Sequence, residues 1–211
     1  MRKWYPWVLV AAALAFSFAV FGRLPERLPT HWHARGVVNG WSSRALGAWL
    51  MPGIMAAMAL VLPLLPNIDP RQVNFEKFRG TYDLVINAII TMVGVIHVAM
   101  LGAGLGWPVS MERITPLMVG GLFLILGNVM PRARPNWMFG IRTPWTLSND
   151  RVWERTHRLG GYLFVGAGLL LLLSAALPAA ALPVVIIGVV VVAVTPLVYS
   201  YVAWRQETRR K

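Results

Sequence analysis

The chain has 211 residues, which allows one domain or two small ones. Hydrophobic residues make up 57% and charged residues only 13%; soluble domains carry about 25% charged residues, so both a water-soluble globule and a disordered chain are excluded. There is no cysteine, which removes disulfides, thiol nucleophiles, Cys-zinc sites and iron–sulfur clusters, and the net charge is +12.

A helix needs about 20 mostly apolar residues to cross a bilayer. Six segments qualify, at about 4–22, 46–65, 82–105, 114–130, 159–177 and 182–204. The first, second, fifth and sixth contain no Asp, Glu, Lys, Arg or His. Arg2 and Lys3 precede the first span as they would in a signal peptide. Its apolar run is long for that role and five spans follow, so it reads as an uncleaved helix. Pro52, Pro63 and Pro196 lie within spans and are expected to kink them, and a short turn near Pro178–Pro183 makes the last two spans a hairpin. The expected fold is all-α, a polytopic membrane helix bundle with six transmembrane helices. It divides into a two-helix unit over 1–66 and a four-helix unit over 67–211.

The basic residues sort by loop. Arg2, Lys3, the second loop, the fourth loop with its flank, and the tail hold fifteen of the 20 Lys and Arg; Arg23, Arg27, Arg35, Arg44 and Arg113 lie on the other side. Cytoplasmic loops accumulate Lys and Arg, so both termini are expected in the cytoplasm. The split also explains the basic excess without nucleic acid as a partner.

The first loop, outside in this topology, runs from Leu24 to Trp41 and contains Thr30-His31-Trp32-His33. In an extended segment His31 and His33 share a face, so they are weak candidates for a metal site. A third ligand would have to come from Glu26, Glu112 or His97. A loop-anchoring or interfacial role is the alternative, with Trp32 and Trp41 suited to the bilayer interface.

The third span carries Asp83, Asn87, Thr91, Gly94 and His97 within about 120° of helix surface, with about 21 Å separating Asp83 from His97. Intramembrane polar residues invite a functional reading, here a proton or ion path. The alternative pairs Asp83 with Arg79 one turn earlier and hydrogen-bonds His97 within the bundle. The Gly102–Gly106 run contains a G-x-x-x-G, but at a helix end.

The fourth loop, residues 131–158, is rich in Arg and Trp. Its prolines and Gly140 exclude a long helix at first, and Pro144 disfavours helix at Thr143. Ser148 is expected to cap a helix that continues into the fifth span, with Asp150 in its first turn. On that helix Glu154 and Arg158 form an i,i+4 pair, and Trp153 and His157 share another face. Asn128, near the end of the fourth span, adds a polar group beside the loop. The loop reads either as an interfacial belt at the headgroups or as an organised binding surface.

Gly127-Asn128, Pro135-Asn136, the run Gly140-Ile141-Arg142-Thr143-Pro144-Trp145-Thr146-Leu147, and Val152-Trp153 with Thr156-His157 resemble the signature of the SdpI family of bacterial membrane proteins. Pro29, His31, Trp32, Gly36 and Gly40 resemble a domain of unknown function that often precedes it. His33 stands where that domain has Asn or another polar residue, so the resemblance implies no metal role for the pair. It implies a six-helix protein of the bacterial cytoplasmic membrane, associated with immunity to a secreted peptide and with signalling to a cytoplasmic regulator. Membrane lipids, a hydrophobic toxin peptide outside and that regulator inside are the expected partners. No cofactor is expected. The candidate binding residues are Asn128, Asn136, Arg142, Thr143, Trp145, Thr146, Trp153 and His157 in the inner loop, and His31 and Trp32 outside. A transporter or channel using Asp83, Asn87, Thr91 and His97 is the alternative. A metal-dependent membrane enzyme is a third reading; the sequence lacks paired carboxylates near a nucleophile and is read as non-enzymatic.

Overall fold

The computed structural model describes residues 4–33 and 36–209. Arg2, Lys3, Arg35, Arg210 and Lys211, which contribute to the charge split, lie outside the described residues. Among the described residues, six helical segments are long and apolar enough to cross a membrane, Tyr5–Arg23, Arg44–Ile68, Arg79–Gly104, Met111–Arg132, Asp150–Ser174 and Leu182–Thr208; they are built on α1 (Tyr5–Val20), α2 (Arg44–Val61), α4 (Arg79–Gly104), α5 (Met111–Val129), α7 (Asp150–Ser174) and α8 (Pro178–Thr208). Two short helices, α3 (Gln72–Glu76) and α6 (Pro144–Ser148), sit in the second and fourth loops. The first loop adds an antiparallel hairpin of β1 (Arg27–Trp32) and β2 (Val38–Ser43) to the helical architecture.

The chain forms two compact units, one from Met1–Pro63 with Ile86–Thr115, the other from Leu64–Val85 with Pro116–Lys211. In the first, the hairpin is anchored by Leu28, which is fully buried. Its methyl groups occupy the space that side chains at Gly47 and Gly104 would need. Val20, Leu24, Ala48, Met100 and Leu101 complete this cluster. Ser43 caps α2 by accepting from Leu46 N–H at 3.3 Å. Pro52 lies inside α2, whereas Pro63 falls beyond its end, in a 3₁₀ turn over Leu62–Ile68. Gly106, at φ +82°, ends α4: Trp107 N–H donates to Gly102 carbonyl at 2.9 Å and Gly106 N–H to Ala103 at 3.1 Å. These two bonds make a Schellman termination, so this glycine run stops a helix and turns Trp107 back over it.

In the second unit, α5 and α7 approach through two reciprocal glycine pairs. A Cβ on Gly127 would stand 2.7 Å from the Gly161 carbonyl oxygen, and one on Gly161 2.8 Å from that of Gly127. Gly120 and Gly168 repeat the arrangement at 2.9 Å both ways. Small residues let helix backbones close where lipid gives no hydrophobic drive for association. α8 begins at Pro178, contains Pro183 and Pro196, and leaves Ile187 and Val190 more than half exposed, as a lipid-facing helix does.

Candidate functional site

The fourth loop is held by buried polar groups of the second unit. Asp69, 2% exposed, accepts three backbone N–H bonds, from Arg71 at 2.7 Å, Trp137 at 2.8 Å and Met138 at 3.1 Å. Asn74 Nδ2 donates to Pro135 carbonyl at 2.8 Å. Asn136 is fully buried and closes the turn on itself. Its amide donates to the carbonyls of Arg134 and Phe139, and its Oδ1 accepts from the N–H groups of Met138 and Phe139. Phe139 then packs on Phe78 and Tyr82, which with Phe75 form an aromatic floor with ring centroids 4.8–6.0 Å apart.

Trp153 and His157 form the next layer, both fully buried on α7 and stacked at 4.0 Å. Trp153 Nε1 donates to Ala133 carbonyl at 2.9 Å. His157 Nε2 accepts from Ile141 N–H at 2.9 Å, so its proton is on Nδ1, which donates to Trp153 carbonyl at 2.9 Å. Gly140 makes this approach possible: its φ is +109°, and a Cβ there would collide with His157 Nε2.

Thr143 and Thr146 form a reciprocal capping box that starts α6. Thr143 is extended, at ψ 162°, as a residue before proline prefers. Its hydroxyl donates to Ser200 Oγ at 3.0 Å, and Ser200 passes its own proton to Leu197 carbonyl. Thr146 hydroxyl donates to Ile141 carbonyl at 2.9 Å. Trp145 is half-buried with its ring 5.1 Å from Tyr201. Two expectations for α7 are corrected. Its cap is Asn149, whose Oδ1 accepts from Arg151 and Val152 N–H, while Ser148 ends α6. An Asx side chain directly before the first helical residue reaches both amides. Glu154 pairs with Arg134 at 3.5 Å instead of Arg158, because the loop folds back alongside α7. Arg151 and Arg155 both hold Glu207 of α8, at 3.6 and 3.5 Å.

The structure therefore brings Asn136, Thr143, Thr146, Trp153 and His157 into one packed frame. Arg142 is exposed at its edge and donates to Trp137 carbonyl at 2.7 Å; Trp137 is 47% exposed. Asn128 is exposed on α5, outside this network. Asp69, Ser200 and Glu207 escaped the sequence reading. The one available signal was an acid in a Pro- and Asn-rich loop, a context that favours turns.

In the first unit, His31 is exposed on the hairpin and its Nδ1 donates to Asn39 Oδ1 at 2.5 Å. His33 begins the tight turn: Gly36 N–H donates to its carbonyl and His33 N–H donates to Val37 carbonyl. Trp32 is half-buried. Among the described residues no group of three or more His, Asp or Glu is placed to hold a metal ion. The third-span residues have local partners. Asp83 pairs with Arg79 at 3.6 Å. Thr91 donates to Asn87 carbonyl at 2.7 Å and accepts from Tyr5 hydroxyl at 2.9 Å. His97, fully buried, lies 2.9 Å from Ser17 Oγ, which also lies 2.8 Å from Ala48 carbonyl.

Comparison with known proteins places this geometry. Residues 132–200 match the SdpI/YfhL protein family, and residues 8–56 match a domain of unknown function, DUF1648. The Immunity protein SdpI of Bacillus subtilis (strain 168) is 27% identical over 164 residues, which covers 78% of this chain and 76% of that one. No solved structure matches the chain. The buried frame around Asn136, Thr143, Trp153 and His157 thus lies within the matched segment, and the chain is a multi-pass bacterial membrane protein in which a segment matching the SdpI/YfhL family follows one matching DUF1648.

Proposed function

We propose that the protein gives immunity to a secreted, membrane-active peptide, sensing it outside the cell and signalling through the fourth loop to a cytoplasmic partner. The observation that carries this is the frame under residues 133–157. Buried hydrogen bonds fix the loop backbone at Asp69, Asn136, Thr143 and His157, while Arg142 and Trp137 remain exposed. A pre-ordered loop with Arg and Trp at its surface suits recognition, because little conformational freedom is lost on binding. The likeness to an immunity protein supplies the biological direction. The distribution of Lys and Arg supports cytoplasmic termini, which puts this loop inside and the His31 hairpin outside. The role is binding, not catalysis: His157 and Thr143 have their polar atoms committed to structural hydrogen bonds.

The test is survival under peptide-toxin challenge of cells expressing wild type, Arg142→Ala or His31→Ala at matched membrane levels. Both side chains are exposed, so the fold is retained. Wild type is expected to raise survival, and loss in either variant locates a working face. Unchanged survival on expression and on deletion refutes the proposal.

A further inference from the structure

The first unit carries an apolar groove of about 470 Å³ between α1, α4 and the start of α5, more open than enclosed. Ala12, Ala13, Gly94 and Ala99 open it by lacking bulk, and Trp107 closes one end. The indole is placed there by the Schellman turn, against Gly102 and 6.1 Å from the Phe16 ring. A groove of this volume with an almost wholly apolar lining is ligand-sized.

We propose that this groove holds one acyl chain of a membrane phospholipid as a bound ligand. Three observations select that occupant. The lining lies within segments long and apolar enough to cross the membrane, and the rim residues Ala12, Val95 and Val98 are exposed, so the groove opens onto hydrocarbon. Thr91, the polar side chain in the wall, has its proton on Asn87 carbonyl and already accepts from Tyr5, so it offers no donor to a headgroup or peptide amide. The groove's lining on α4 runs from Thr91 to Ala99, a rise of about 12 Å along that helix. An extended acyl chain fills such a length; a single peptide side chain does not.

The full-length protein in phosphatidylethanolamine–phosphatidylglycerol vesicles, with a trace of phosphatidylethanolamine bearing a mid-chain diazirine, provides the test. After irradiation, adducts are mapped by mass spectrometry. Adducts are expected to concentrate on Ala12, Val95 and Val98 over the exposed α8 residues Ile187 and Val190. Gly94→Leu fills the groove and should cut the groove adducts about tenfold while leaving those on α8 unchanged. At Gly94 a Cβ meets only the flexible Met55 tip; Ala12→Leu, at the exposed rim, gives the same reading should Gly94→Leu misfold. Equal labelling of groove and α8, or groove labelling unaffected in the folded variants, overturns the proposal. Displacement of the groove adducts by an equimolar polyleucine peptide also overturns it, by assigning the groove to peptide.

Discussion

Asp69 is the tie between the second and fourth loops, and Asp69→Asn probes it at nearly constant volume. The carboxylate accepts from Arg71 through one oxygen and from Trp137 and Met138 through the other. An asparagine has one acceptor oxygen. Whichever way its amide turns, an NH₂ group faces a backbone N–H, and the bonds that survive lose their ionic partner. The milder rotamer forfeits the Arg71 bond, the harsher one both bonds to the fourth loop. Hydrogen bonds to a charged group contribute about 1.5–3 kcal/mol each, so the loss is about 3 kcal/mol, or about a hundredfold in the open population of the loop. Limited trypsin digestion in detergent reads that population, with Arg132 and Arg142 as exposed cleavage sites in the loop. Cleavage there should accelerate by one to two orders of magnitude. Glu76→Gln, which removes an exposed acid, should leave the rate unchanged. Wild-type cleavage and an unshifted thermal midpoint for Asp69→Asn would refute the assignment.

Two further substitutions test the frame and the helices beneath it. Gly127→Leu forces a side chain into the Gly161 carbonyl and should lower the thermal midpoint in detergent by the equivalent of about 3 kcal/mol or more, while Gly121→Leu, with open space around it, should not. His157→Leu leaves the Ile141 N–H without its acceptor and should cost about 1–3 kcal/mol by the same thermal assay; His157→Gln, which can accept, should recover part of it.

Hydropathy alone located all six spans, because a bilayer demands long apolar helices whatever surrounds them. The i,i+4 geometry of one helix made the Trp153–His157 stack and the Arg79–Asp83 pair legible, since both partners share a continuous element. The fourth-loop residues stood out by type and motif, yet their task did not. Asn136, Thr143, Thr146, Trp153 and His157 form the support beneath the surface, and Arg142 stands at its edge. That division depends on burial, which a one-dimensional pattern of prolines and glycines does not encode. Ser148 and Asn149 are both good caps, and only the observed turn selects Asn149.

The remainder belonged to tertiary structure because it rests on partners distant along the chain. Asp69 meets the amide of Trp137, Thr143 meets Ser200, Arg155 meets Glu207, and Gly127 meets Gly161. The first loop is a hairpin because Leu28 finds space at Gly47 and Gly104. Composition established a six-span membrane protein with its basic residues gathered in particular loops. Packing decided which of those loop residues are buried to hold the backbone and which remain exposed.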